Sequence, residues 1–283
     1  MKKWNLVIDV ARCHDCNDCF LADKDEFVDN EWLPTATSQP RHGHRWMNIE
    51  RKERGQYPIV QVAYLPLPCQ HCSEAPCMKA SPAGTIYRRD DGLVIIDPLK
   101  AKGHPEILDT CPYGAIYWNE EAQVPQKCTG CAHLMDEGWT ETRCSQVCPT
   151  EAIKLFLVED SEMAAKAEAE GLQAYKHELA TSPRVYYKNL YKWEKAFLAA
   201  SVVYKDSDEC AEGVKASVAS AGQTIAEGLT NNYGDFVLDE LAPGATYTLT
   251  LAAPGYKPLT REVTLEASLN LGQLFLENFP ARA

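Results

Sequence analysis

Eleven of the twelve cysteines in this 283-residue chain lie before residue 149, in a spacing that suits thiolate ligands. Cys13-x2-Cys16-x2-Cys19 opens the series and Cys69-x2-Cys72-x4-Cys77 follows. Next comes a solitary Cys111, in the phrase Cys111-Pro112-Tyr113-Gly114-Ala115-Ile116, and then Cys128-x2-Cys131-x12-Cys144-x3-Cys148-Pro149. Thiolates two residues apart on a tight turn can hold an iron–sulfur cubane, and in two-cluster proteins the fourth Cys of a run crosses to the other cluster. The chemistry these residues point to is electron transfer. Zinc competes for Cys-x2-Cys pairs, but three cysteines at 13, 16 and 19 with a Cys-Pro downstream suit a cubane better than a tetrahedral ion. Disulfides are a weaker reading. The chain opens Met1-Lys2-Lys3-Trp4 with no apolar signal region, so a reducing, cytoplasmic location is expected.

The surroundings of the cysteines repeat. Val7-Ile8-Asp9-Val10 before Cys13 parallels Ile95-Ile96-Asp97-Pro98, each a short apolar strand leading into a loop. Cys111-Pro112-x2-Ala115-Ile116 parallels Cys148-Pro149-x2-Ala152-Ile153, and Ser81-Pro82-x2-Thr85-Ile86 is the same phrase without its sulfur. The plan is therefore four motifs of four ligands. Four positions have lost their sulfur in a pattern that the crossing rule assigns to one cluster: Ser81, Ala101, His104 and Ile107. Three clusters remain. Cys13, Cys16 and Cys19 pair with Cys148; Cys69, Cys72 and Cys77 pair with Cys111. Cys128, Cys131 and Cys144 need the fourth ligand of the first motif, which falls at Asp23. A carboxylate can ligate iron, more weakly than a thiolate. The alternative is a solvent-side aspartate beside a three-iron cluster or a hydroxide-ligated iron.

Other residues invite plainer readings. Cys210 stands alone in the second half and is expected to be a small buried apolar residue. His14, His71 and His133 adjoin ligand cysteines, where they can donate hydrogen bonds to cluster sulfur. A formal net charge of −12 argues against nucleic acid as a partner, and no apolar run is long enough to span a bilayer. Residues 41–54 concentrate Arg41, His42, His44, Arg45, Arg51, Lys52 and Arg54, either a solvated face or a docking surface for an acidic partner.

The elements that must position the cysteines form an α+β chain. Residues 1–158 read as a polyferredoxin-like iron–sulfur domain of duplicated modules. Residues 159–198 read as a linker: a surface helix over 159–179, then an aromatic, basic segment from Ser182 to Trp193 that packs either on a partner or on its own domain. Residues 199–283 alternate apolar and polar, with turns at Asn231-Asn232-Tyr233-Gly234, Pro243-Gly244 and Pro254-Gly255, and predict an all-β sandwich of some seven strands.

With that ligand map, the chain resembles the iron–sulfur subunits of dimethyl sulfoxide reductase-family molybdopterin enzymes. Within them it is most similar to the small subunits of the pyrogallol–phloroglucinol transhydroxylase and resorcinol hydroxylase branch. The likeness rests on Val7-Ile8-Asp9-Val10-Ala11, on residues 43–51, on Asp109-Thr110-Cys111-Pro112-Tyr113-Gly114, on Cys131-Ala132-His133-Leu134 and on residues 183–191. It covers most of residues 1–195 and, more weakly, the β domain, for which it implies a transthyretin-like or Ig-like sandwich. It also implies three [4Fe-4S] clusters here and no active site, with molybdenum on bis-pterin guanine dinucleotide confined to a large catalytic partner that acts on polyhydroxylated aromatics. An iron–sulfur subunit of a respiratory oxyanion reductase and a free-standing multi-cluster ferredoxin are the alternatives. Asp23 departs from the resemblance, which implies cysteine there.

Overall fold

Strand Lys3–Asp9 is the hinge of the ligand geometry. It pairs antiparallel with Ile153–Val158, Ile8 opposite Ile153, and parallel with Val185–Lys188. That register leaves Cys13, five residues after Ile8, and Cys148, five before Ile153, at the same end of the sheet. The chain's first and last ligand motifs therefore meet through one strand pairing. The computed structural model describes residues 1–279 and divides them into two units. The first comprises Met1–Arg51 and Tyr64–Leu190; the second comprises Lys52–Ala63 and the chain from Tyr191 onward.

In the first unit, short hairpins alternate with ligand loops. Ile86–Arg88 pairs with Val94–Ile96, and Tyr117–Asn119 with Val124–Gln126. Helices are brief: Asp18–Phe27, Pro76–Ala80, Ala132–Asp136 and Arg143–Gln146. The helix expected over 159–179 is Asp160–Glu170. A reciprocal Glu159–Glu162 capping box starts it and left-handed Gly171 ends it, while Met163 is buried beside Val7 and Leu172. The aromatic segment packs on its own unit: Val185, Tyr187 and Leu190 are buried, and the Tyr187 hydroxyl donates to the Pro66 carbonyl at 3.0 Å.

The second unit is a sandwich of a three-stranded and a four-stranded sheet. Ala196–Tyr204 lies between Asp235–Leu241, antiparallel, and Leu269–Leu276, parallel. The other sheet runs Gln223–Leu229, Lys215–Ser220, Ala245–Ala252, Leu259–Leu265. Period-two alternation sends Ala216 and Val218, Phe236 and Leu238, Leu249 and Leu251, and Leu274 and Leu276 into the shared core. The Asn231–Gly234 turn is obligatory: Gly234 has φ +78°, and a Cβ there would lie 2.3 Å from the Val202 carbonyl oxygen.

Ala196–Ala200 is buried on both faces because the outer part of the hairpin Met47–Gln56 and Ile59–Pro68 belongs to this unit. Arg54, only 2% exposed along its side chain, lies over the Phe197 ring and pairs with Asp239 at 2.5 Å. Cys210 is exposed, contrary to the buried position expected of it. It bridges to Val203 beyond a turn, and the inward place falls to its neighbour Ala211. Alternation there decides burial, and residue type does not.

Arg54→Ala removes one partner of a shielded ion pair and leaves Asp239 without its counter-charge. The expected loss is about 3 kcal/mol, read as a lowered denaturant midpoint with iron content unchanged.

Candidate metal centres

Each ligand turn aims backbone N–H groups at sulfur. In three of the four Cys-x2-Cys spacings the residue before the second cysteine is left-handed: Asp15 at φ 58°, His71 at 43°, Gly130 at 66°. The His71 N–H then donates to Cys69 Sγ at 3.5 Å, the Gly130 N–H to Cys128 Sγ at 3.4 Å, and the Asp15 backbone to Cys13. The Cys-Pro phrases repeat the device. Gly114 and Glu151 are left-handed, and the N–H groups of Ala115 and Ala152 reach Cys111 Sγ and Cys148 Sγ at 3.5 and 3.2 Å. Successive N–H groups on such a twist make an anion nest. Only glycine suits the Cys128 turn, where a Cβ on Gly130 would come within 2.4 Å of Leu93 and 3.3 Å of the Trp4 ring.

The thiols gather in three groups. Cys13 lies in the electrostatic field of Cys16 and Cys148, and Cys19 in that of Cys13 and Cys16. Cys72 feels Cys69, Cys77 and Cys111. Cys128, Cys131 and Cys144 feel one another and Asp23. Cys19 also lies in the field of Cys144, their two helices packing together, and Cys128 packs against the apolar cluster that contains Cys69. Burial pushes the Cys72 thiol up to about 12 and those of Cys77 and Cys144 to about 11, while Cys128 and Cys131 rise further. Thiols so placed give up their protons to a bound cation rather than to water.

Asp23 closes the central group. It is 8% exposed, so it is not on the solvent side, and with Cys128, Cys131 and Cys144 it lines a cavity. Cys19 lies four residues earlier on the same helix, so one helical face supplies one group and then the next. Burial raises the Asp23 carboxyl to about 7, opposed by the Gln39 amide, which donates to Oδ2 at 3.0 Å. Among the described residues no three Cys, His, Asp or Glu side chains converge on a single-ion point. A cubane is ligated at four corner irons and takes a wider cradle. Four sulfur-or-carboxylate donors, N–H nests and a cavity between them fit that group.

The histidines divide. His14 is exposed. His133 Nε2 is committed to Glu26 at 2.8 Å, which also pairs with Arg143 at 2.9 Å. His71 is fully buried; its Nδ1 accepts the Val94 N–H at 3.0 Å, and its Nε2 has no protein partner. Of the sulfur-free positions, Ala101 and Ile107 are fully buried in the apolar cluster around Cys69, Cys72 and Cys77. His104 faces outward and pairs with Glu106.

The basic stretch is mostly spoken for within the chain. Arg41 pairs with Asp29, Arg51 with Asp15, and Arg45 stacks on Phe20. His44 is buried against the Trp118 carbonyl, and Arg54 is the buried partner of Asp239. Three residues near the groups escaped sequence reasoning. Gln39 orients Asp23, the Thr142 hydroxyl lies 3.1 Å from Cys144 Sγ, and Lys127 is buried beside Cys128. Only the Thr142-x2-Ser145 capping pattern leaves a mark in the sequence.

Residues 60–157 match the 4Fe-4S dicluster domain, and residues 199–274 the carboxypeptidase regulatory-like domain. The chain is 47% identical over 275 residues to the pyrogallol hydroxytransferase small subunit of Pelobacter acidigallici, covering 96% of this chain and 98% of that one. It is 32% identical to a Halobacterium salinarum protein provisionally named as an iron–sulfur subunit of dimethyl sulfoxide reductase, over 67% of this chain and 80% of that one. It is 30% identical to the thiosulfate reductase electron transfer subunit of Salmonella typhi, over 56% of this chain and 78% of that one. None of the helices formed by the described residues is long and apolar enough to cross a membrane. By its cysteine groups, its domain pair and these identities, the chain belongs to the iron–sulfur subunits of dimethyl sulfoxide reductase-family molybdopterin enzymes.

Proposed function

We propose that this chain is a non-catalytic electron-transfer subunit with three [4Fe-4S] clusters, serving a large molybdenum-pterin subunit that acts on polyhydroxylated aromatics. The observation that carries this reading is the row of three four-donor groups, taken with 47% identity along 96% of the chain to a hydroxytransferase small subunit. Each cubane, when bound, takes up and returns one electron. The ligands are Cys13, Cys16, Cys19 and Cys148; Cys69, Cys72, Cys77 and Cys111; and Cys128, Cys131, Cys144 and Asp23. The packing of the Cys19 helix on the Cys144 helix, and of Cys128 on the Cys69 cluster, supports passage of electrons along the row. Backbone N–H groups hold the sulfurs in place and favour their ionised forms. Gln39 fixes the Asp23 carboxyl toward the central site. We assign the chain to the cytoplasm, where its thiols would stay reduced.

Two measurements test this. Anaerobic purification of the tagged chain from its host should bring a stoichiometric larger partner that carries molybdenum. A chain that comes alone, with iron and without molybdenum, would make it a free electron carrier. Iron analysis of the intact protein should give about twelve irons per chain. Asp23→Ala should lower the count to about eleven, with a three-iron EPR signal in the oxidised protein, and Asp23→Cys should restore it. A wild type that already shows about eleven irons and the three-iron signal would remove Asp23 from the ligands.

A further inference from the structure

Lys127 precedes Cys128 and is 3% exposed. Its ammonium donates to the Val94 carbonyl and, at 3.1 Å, to the Cys128 carbonyl. Both acceptors are neutral, and among the described residues no carboxylate forms an ion pair with it. An ammonium taken out of water without a counter-charge is heavily penalised, so its counter-charge has to come from elsewhere. Val94, whose carbonyl it binds, packs in the cluster of Cys69, Cys72 and Cys77 with Cys111 against it, and the field of the ammonium falls on the sulfurs of Cys77 and Cys111. These belong to one thiol group, the one at the end of the row away from Cys13.

We propose that Lys127 is the built-in counter-charge of the cluster held by Cys69, Cys72, Cys77 and Cys111, and that it raises the reduction potential of that cluster selectively. The inference rests on the cluster reading above. Reduction adds one electron and no proton, so the site gains a full negative charge. A fixed cation nearby stabilises the reduced form more than the oxidised one. The Cys13 group, on the far side of the central group, should feel it least.

The test is an EPR-monitored redox titration of the anaerobically purified complex, with the signal of the Cys111-bound cluster identified by its change in a Cys111→Ser variant. Lys127→Met and Lys127→Gln should keep the wild-type iron count. At a fixed solution potential, the ratio of reduced to oxidised Cys111-bound cluster should fall about tenfold, which is about 59 mV for a one-electron couple. The Cys13-bound cluster should not move, and Lys127→Arg should recover most of the shift. Lys127→Gln keeps a donor for the two carbonyls, so it separates charge from hydrogen bonding. An unchanged midpoint in an iron-replete Lys127→Met protein overturns this inference alone. So does an equal shift of all clusters, or loss of the cluster from both Met and Gln variants, since either marks a structural role. A wild type without a cluster on these four thiols overturns the underlying reading as well.

Discussion

The first unit is organised around one electrostatic problem, gathering many thiols where water solvates their ionised forms poorly. Burial drives Cys72, Cys128 and Cys131 toward their neutral forms, and neighbouring thiols add to the penalty. The chain answers with backbone. A left-handed residue before the second cysteine, or three after a Cys-Pro cysteine, turns an N–H group onto sulfur at five places. That explains why so little of this unit is helix or sheet. A regular element commits its N–H groups to its own carbonyls, whereas a ligand turn must keep them for sulfur.

The helix Asp18–Phe27 shows how the same problem couples the groups. Its i, i+4 spacing puts Cys19 in one and Asp23 in the next, so the two sites cannot move apart without unwinding a helix. A carboxylate is a harder and weaker ligand than a thiolate, and it needs a fixed orientation more. Gln39 supplies that. Its backbone N–H donates to the Phe27 carbonyl at 2.8 Å and its side-chain amide to Asp23. The helix that carries Cys19 therefore also holds a buried carboxyl whose orientation Gln39 fixes.

Much of this was legible in the sequence, because ligand spacing and the crossing rule are local and topological facts. Asp23, singled out by that rule, is buried and lines one cavity with Cys128, Cys131 and Cys144. The sandwich was legible from period-two alternation and its Gly turns. The residues that orient or neutralise were not. Gln39 lies 16 residues from Asp23, and Lys127 reads as an ordinary surface lysine until Val94 closes over it. The partners of the basic stretch were hidden for the same reason: Asp15, Asp29 and Asp239 meet it in space and are scattered in sequence. Cys210 misled because residue type predicts an average burial, while a single step along a strand decides the actual face.

The four sulfur-free positions show what removing a cubane asks of a fold. A cluster fills space as well as binding sulfur, so losing its ligands one at a time would leave a polar void. Here Ala101 and Ile107 are fully buried and pack with Ile86, Val94, Ile96 and Ile116 against the surviving Cys69, Cys72 and Cys77. His104 has turned outward to pair with Glu106, and of the four positions only Ser81 keeps a buried polar atom without a partner, its hydroxyl. Apolar packing thus fills the space around two of the four sulfur-free positions, directly against the Cys69 group.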